Sequence, residues 1–414
     1  MAATERLAVE HRSSTSSRWA ILAALAIFVA LVAFVSRIAT EDAPALAIHR
    51  MFPAEIRLPG SSPVLGWPLE GQAAVEVEGV GSFGTSGGST PVPIASVAKV
   101  MTAYLTLREH PIAAGQSGFT MTVTASEEEE AQRRQAEGQS IVRVARGERL
   151  TERQALEALL LPSANNIAAM LAVYDAGGSS AFVARMNTTA SRLGMRSTTY
   201  TDPSGFEPST VSTAADQLRL ARAAMRDPTF ASIVAESSTD LPVAGRVGNF
   251  DGLVGEDGYV GIKTGSDRAA GGCLLFAKHF TVAGRTLTVL GAVLGQREGS
   301  LIDAALAAAR RLGDSAAAAT GVRVAVPART TVLTATATDG RETKATTNVA
   351  LRTIGWAGLE LPVRVIQGAP RSHVRVGERL GNVTLSGLTV ARTDVVARGS
   401  LGGPSLGWRL QHVL

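Results

Sequence analysis

From Trp19 to Val35 the chain runs for 17 residues without a charged or strongly polar side chain, and Arg6, Arg12 and Arg18 precede the run. No other feature restricts the fold as much, because so apolar a stretch either crosses a bilayer as a helix or is the core of a signal peptide. As a helix it would rise about 26 Å, slightly short of the roughly 30 Å hydrocarbon layer, and snorkelling of Arg18 and Arg37 can close that gap. Signal-peptide cores usually end by about 15 residues, which favours a retained anchor over cleavage at the weak Ala45-Leu46-Ala47 site. The basic N-terminal side stays in the cytoplasm, so the main body is extracytoplasmic under either reading. The expected order is a cytoplasmic N-terminus, 1–18, a transmembrane signal anchor or signal peptide, 19–37, and a body at the outer face of the membrane, secreted if the N-terminal segment is cleaved.

An exported chain can staple itself with disulfides, but this one has a single cysteine, Cys273. Packing must hold it together, and Cys273 itself reads as a buried strand residue. The six histidines are far apart and show no HExxH spacing, so no metal centre is expected. Lys plus Arg number 40 against 36 Asp plus Glu, a net charge of +4 without basic clusters among aromatics, and nucleic acid is not an expected partner.

Residues 38–60, with Pro44, Pro53, Pro59 and Gly60, read as a linker. Beyond it, "QAAVEVEGVG" alternates as a strand, and apolar residues recur at spacings of three and four from Ser96 to about Arg108, as in a helix. A helix or helical pair broken by Pro162 spans Thr151 to Tyr174, and "STAADQLRLARAAMRD" and "LIDAALAAARRLGD" are further helices. "CLLFAKHFTVAGRTLTVLGAVLG" reads as two strands joined at Ala283-Gly284. The acidic run 127–130 is a solvated face or a helix start. After residue 320 the texture changes to short Thr- and Val-rich strands. The expected fold class is α/β or α+β, an antiparallel sheet with helices over 61–315, followed by a small β-rich domain over 321–414. No amphipathic C-terminal anchor is evident.

Ser96-Val97-Ala98-Lys99 opens the first helix. A serine hydroxyl is a poor nucleophile until something takes its proton, and Lys99, three positions on and on the same face, can do so if burial lowers its pKa. The N–H groups at a helix start can bind an oxyanion. S-x-x-K alone occurs by chance in most long chains. Here Ser163-Ala164-Asn165 and Lys263-Thr264-Gly265 follow in order, and the set S-x-x-K, S-D-N and K-T-G marks class A β-lactamases and penicillin-binding proteins. Taken singly, Ser163 reads as a helix cap after Pro162, Lys263 as a strand-edge charge and Arg297 as a surface arginine.

Together "ASVAKVMTAYL", "LLLPSANNIAA", "TDPSGFEPSTVSTAAD" and "GIKTGSDRAAGGCLLF" resemble the low-molecular-mass penicillin-binding proteins that are serine-type D-alanyl-D-alanine carboxypeptidases. The resemblance covers about residues 50–315, and the β-rich tail resembles that family's second domain with less specificity. It implies a penicillin-binding, β-lactamase-like transpeptidase fold in which Ser96 attacks the carbonyl between the terminal D-alanines of a peptidoglycan stem pentapeptide, with Lys99 as base. Ser163 and Lys263 would relay a proton to the departing D-alanine, and Asn165 would bind the substrate amide. The backbone N–H groups of Ser96 and Ser266 would form the oxyanion hole, Thr264, Gly265 and Ser266 would line the cleft, and Arg297 would hold the substrate carboxylate. No organic cofactor or metal is implied, β-lactams would inhibit, and the cytoplasmic membrane is the other partner. The second motif is Ser-Ala-Asn rather than Ser-Asp-Asn, and Glu207 is a poor match for a β-lactamase's deacylating glutamate. The rival readings are a β-lactamase or esterase on the same scaffold and a cell-wall binding protein without turnover.

Overall fold

The stretch "CLLFA" is apolar at successive positions rather than alternate ones, which demands cover on both faces of a strand. The computed structural model, which describes residues 15–40, 43–403 and 405–413, supplies that cover. Gly271–Val282 is the second strand of a five-stranded antiparallel sheet in the order Tyr259–Asp267, Gly271–Val282, Arg285–Gln296, Gln72–Val77, Gly81–Ser86. Successive side chains point to opposite faces. Cys273, Leu275 and Ala277 enter a core with the motif-bearing helices, while Leu274 and Phe276 meet Ala305, Ala308 and Leu312 of the helix Leu301–Ala319. On that second face the helix lies so close that a Cβ on Gly272 would sit 1.8 Å from the Leu301 carbonyl oxygen.

The helix Lys99–Glu109 lies in the first core, and the helices Glu152–Leu160 and Asn165–Ala176 pack against it. Pro162 separates that pair, as its missing N–H predicts. The acidic run belongs to the helix Ala125–Ala136, whose Thr124 cap and Glu127 form a reciprocal capping box. The architecture is thus the expected one, a mixed α/β layer structure with an additional β-rich part.

The β-rich part holds a seven-stranded sheet, and here the expected linker, 38–60, is corrected. Ala47–Arg50 pairs with Thr331–Thr336 and Glu55–Arg57 pairs with Glu360–Gln367, so the two short strands close opposite edges of the sheet. Strands of four and three residues are too short to display an alternation, and Pro53 between them reads as a breaker. The edge strand Gly81–Ser86 of the first sheet meets the β-rich part through Phe83, whose ring stacks on Trp356 with centroids 3.7 Å apart.

The helix Thr15–Thr40 contains a stretch, Arg18–Ile38, long and apolar enough to cross a membrane, and that stretch is exposed except near its end, where Ile38 is buried. Arg6 and Arg12, expected on the cytoplasmic side, lie outside the described residues. A C-terminal helix, Leu406–Val413, meets the apolar helix, with Arg409 donating to the Ile38 carbonyl at 2.7 Å. Eight residues make barely two turns, too few for a periodic signal in the sequence.

Candidate active site

Ser96 lies in a short 3₁₀ turn, Ala95–Ala98, that runs directly into the helix Lys99–Glu109. It makes no cap: no side chain caps either segment, so the hydroxyl is not spent on the helix start. Ala95 holds φ at +46°, a conformation that costs a non-glycine residue about 1 kcal/mol or more. Strain of that kind immediately before a half-buried serine is a mark of a functional turn.

Three residues along, Lys99 Nζ is 2.9 Å from Ser96 Oγ and donates to the Ser204 carbonyl, also at 2.9 Å. Lys99 is wholly buried. Burial drives its pKa well below the ordinary lysine value, the positive charge of Lys263 adds to the shift, Asp202 opposes it and Arg134 contributes in the same direction as Lys263. An amine held this way can exist unprotonated near neutrality, beside the hydroxyl whose proton it would take.

The carbonyl that fixes Lys99 belongs to the loop "TDPSGFEPST", to which no role was assigned from the sequence. Asp202 organises it, accepting from Ser204 N at 3.0 Å, Ser204 Oγ at 2.6 Å, Phe206 N at 3.0 Å and Thr210 Oγ1 at 2.7 Å. Thr102, on the helix Lys99–Glu109, donates to the Pro203 carbonyl at 2.6 Å and ties the loop to that helix. The sequence signal was an aspartate before Pro-Ser-Gly, the composition of an Asx turn. Glu207, in the same loop, is exposed.

Ser163 is buried, holds φ at +66°, and its Oγ has no hydrogen-bond partner among the described residues. The reading of it as a helix cap is therefore wrong: the helix Asn165–Ala176 has Ala164 at its cap position and no side-chain cap. Asn165 donates through Nδ2 to Gln139 Oε1 at 2.8 Å, while its Oδ1 is buried and unpartnered. Gln139 also accepts from Arg134 at 3.1 Å, and neither residue carried a signal in the sequence. Orphaned buried polar atoms are rare in folded chains, and two of them on one motif are groups left free for a ligand.

Lys263, Thr264, Gly265 and Ser266 lie on the strand Tyr259–Asp267. Lys263 is buried, not a strand-edge charge, and its pKa is pushed down to about 7 by burial against the opposing charge of Asp251. Its Nζ is 3.5 Å from Thr264 Oγ1. At Gly265 the strand touches the turn Ala95–Ala98: a Cβ there would lie 2.9 Å from the backbone nitrogens of Ser96 and Val97. Ser266, one residue on, is exposed. Arg297, just past the end of the strand Arg285–Gln296, donates to the Arg268 and Ala269 carbonyls at 3.0 and 2.7 Å, so two of its five N–H groups serve the hairpin beside Ser266. Cys273 is buried in the sheet, as expected. Among the described residues no three His, Cys, Asp or Glu side chains converge as metal ligands.

The arrangement offers a hydroxyl beside a buried amine, a second buried cation, unpartnered polar atoms and backbone N–H groups meeting at one strand, which is the equipment for acyl transfer. The comparisons with known proteins agree. Residues 86–295 match the family model described as D-alanyl-D-alanine carboxypeptidase. The chain is 34% identical over 224 residues to the D-alanyl-D-alanine carboxypeptidase DacB2 of Mycobacterium tuberculosis, covering 52% of this chain and 72% of that one. It resembles the crystal structure of the Streptomyces K15 DD-transpeptidase with a TM-score of 0.53 and 26% identity, over 62% of this chain and 98% of that one. Penicillin binding protein 5 of Haemophilus influenzae, at 16% identity, shares the fold, with a TM-score of 0.57 over 83% of this chain and 99% of that one.

Proposed function

Because the chain belongs to the D-alanyl-D-alanine carboxypeptidase family, we propose that Ser96 is the nucleophile that opens the terminal D-Ala-D-Ala bond of a peptidoglycan stem pentapeptide, with Lys99 as its base. The enzyme is a serine D-Ala-D-Ala carboxypeptidase. The observation that carries the assignment of roles is the 2.9 Å approach of Lys99 Nζ to Ser96 Oγ by a lysine whose pKa burial lowers well below the ordinary value.

In this reading Ser96 Oγ bonds to the carbonyl carbon while its proton passes to Lys99 Nζ, and the oxyanion is held by the backbone N–H groups of Ser96 and Ser266. The C–N bond then breaks, and the leaving amine takes a proton from Ser163, which Lys263 resupplies. The proton gained by Lys99 balances the one given up through Ser163. Water opens the acyl-enzyme by the same route in reverse. Asn165 holds the substrate amide, Thr264 and Gly265 line the cleft, and Arg297 anchors the free carboxylate with the donors it does not spend on the hairpin. β-Lactams, as mimics of the dipeptide, acylate the same serine. The apolar helix Thr15–Thr40 holds the enzyme at the cytoplasmic membrane with the catalytic body outside.

Labelled penicillin and a pentapeptide ending in D-Ala-D-Ala test the reading together. Wild type should carry one covalent label and release D-alanine, and Ser96→Ala should lose both, with turnover down by about 10⁴-fold or more. Equal labelling of the two proteins would overturn it, and rapid penicillin turnover without D-alanine release would favour a β-lactamase.

A further inference from the structure

The grip on the substrate's free carboxylate falls to one side chain, Arg297, and that side chain stands where the sheet has run out. Toward Gln72–Val77 the ladder of the strand Arg285–Gln296 ends at the pair Leu294 and Gln72, and toward Gly271–Val282 it ends at Gln296 and Gly272. Arg297 and Glu298 lie past both ends, so no neighbouring strand serves their backbone N–H groups. Such groups need an acceptor from elsewhere. Without one the segment is free to swing, and the guanidinium with it.

The acceptor is Glu70, which the mechanism above does not use. Its Oε1 accepts from Arg297 N at 2.6 Å and from Glu298 N at 3.1 Å. Its carbonyl oxygen accepts from Nε2 of the buried Gln296 at 2.9 Å. Glu70 therefore holds three consecutive residues, 296–298, from one side. The approach depends on its neighbour: Gly71 holds φ at +67°, and a Cβ there would lie 1.9 Å from the Leu294 carbonyl oxygen. Only glycine lets the chain pass that close.

The hairpin holds Arg297 from the other side. Besides the bonds to the Arg268 and Ala269 carbonyls, the arginine stem passes close to Gly271, where a Cβ would lie 3.3 Å from Arg297 Cγ. Both carbonyls are neutral, and among the described residues Arg297 makes no ion pair, so its charge stays available to a ligand. Glu70 is exposed, yet its Oε1 goes to the backbone of Arg297 and not to the guanidinium. It fixes the anchor without neutralising it.

We propose that Glu70 is a positioning residue that sets Arg297 for the terminal carboxylate of the substrate, and with it the preference for a free C-terminus. The assignment rests on the catalytic reading given above, in which Arg297 anchors that carboxylate. Glu70 touches neither a reacting atom nor the substrate in that scheme; it acts through the Arg297 backbone. What this requires of residue 70 is an acceptor oxygen rather than a charge.

A labelled penicillin and its methyl ester read the role out, because both can acylate Ser96 and only the acid offers a carboxylate to Arg297. In the full chain in detergent, wild type should be acylated faster by the acid than by the ester. Glu70→Ala should slow the acid by about 10–100-fold and leave the ester rate in place. Glu70→Gln, which keeps an acceptor oxygen, should recover most of the acid rate, and Glu70→Ala should add nothing in an Arg297→Ala background. A purely structural role would slow acid and ester alike, which would overturn the proposal, as would a Gln variant as slow as the Ala variant. The two claims fail differently. If wild type is not labelled, the catalytic reading falls; if it is labelled but does not distinguish acid from ester, the role of Arg297 falls and takes that of Glu70 with it. If wild type prefers the acid and Glu70→Ala keeps that preference, only the role of Glu70 falls.

Discussion

Burying an ammonium group is costly in free energy, and Lys99 has no exposed surface at all. Folded Lys99 releases its proton at lower pH than the unfolded chain does. Between its folded value and the ordinary 10.5 the unfolded state therefore holds more protons, and stability rises with pH through that window; below it the full cost persists. Lys99→Met keeps the apolar stem and removes the charge. At pH 7 its Tm should exceed wild type by about 2–5 °C, net of the ~1 kcal/mol of hydrogen bonding forfeited at Ser204, and the gain should shrink as the pH approaches 10. D-alanine release should fall by about 10²–10⁴-fold. Thermal unfolding at pH 7 and 9.5 checks this, and a Tm below wild type at pH 7 would contradict the account. Little of this was legible beforehand: the spacing of Ser96 and Lys99 made a shared face readable, but burial and the charge of Lys263 come from elsewhere in the chain. Ser163 is the sharper case. Its left-handed backbone and orphaned hydroxyl depend on what the Pro162 turn packs against, and in the sequence it looked like an ordinary cap.

Helices and strands were the most readable level, because each buried face repeats its pattern over two or more turns or pleats. The strands flanking Ala283-Gly284, the helix after Ser96 and the pair interrupted by Pro162 all follow from periodicity and breakers. What periodicity does not encode is which element touches which. The contact between the Lys-Thr-Gly strand and the turn Ala95–Ala98 is made at Gly265, where a Cβ would meet Ser96 N and Val97 N at 2.9 Å and the Ile94 carbonyl oxygen at 3.0 Å. All are backbone atoms, so the obstruction cannot be relieved by turning a side chain. Gly265→Ala should push the strand off the turn, slow penicillin acylation by about 10²-fold or more and cost roughly 1–3 kcal/mol of stability. Acylation kinetics alongside urea unfolding test it, and an alanine variant that acylates at the wild-type rate would show that the strand and turn do not meet so closely. The loop around Asp202 belongs to this level too: its composition announced a turn, but its service to Lys99 required the fold.

The whole molecule joins parts that sequence order keeps separate. Leu46 and Leu58 are buried in the core of the β-rich part, beside the edge strands Ala47–Arg50 and Glu55–Arg57. A chain beginning at Ala45 loses only the apolar helix and should be soluble with full penicillin acylation. A chain beginning at Ser61 also loses both edge strands and two buried leucines, each worth about 1.5–3 kcal/mol, and it bares two sheet edges that invite association. Calorimetry and light scattering of the two truncations should separate them, and equal unfolding temperatures without aggregation would refute the edge-strand argument. The sequence alone determined the apolar segment, the layer class and the three motifs, because length, period and residue type are local properties. Tertiary structure decided the edges of the β-rich sheet, the pairing of Arg297 with its hairpin, and the burial that lowers the pKa of the two lysines. Those depend on neighbours distant in the chain, since a pKa or an edge contact is set by what lies within a few ångströms in space rather than within a few residues in order.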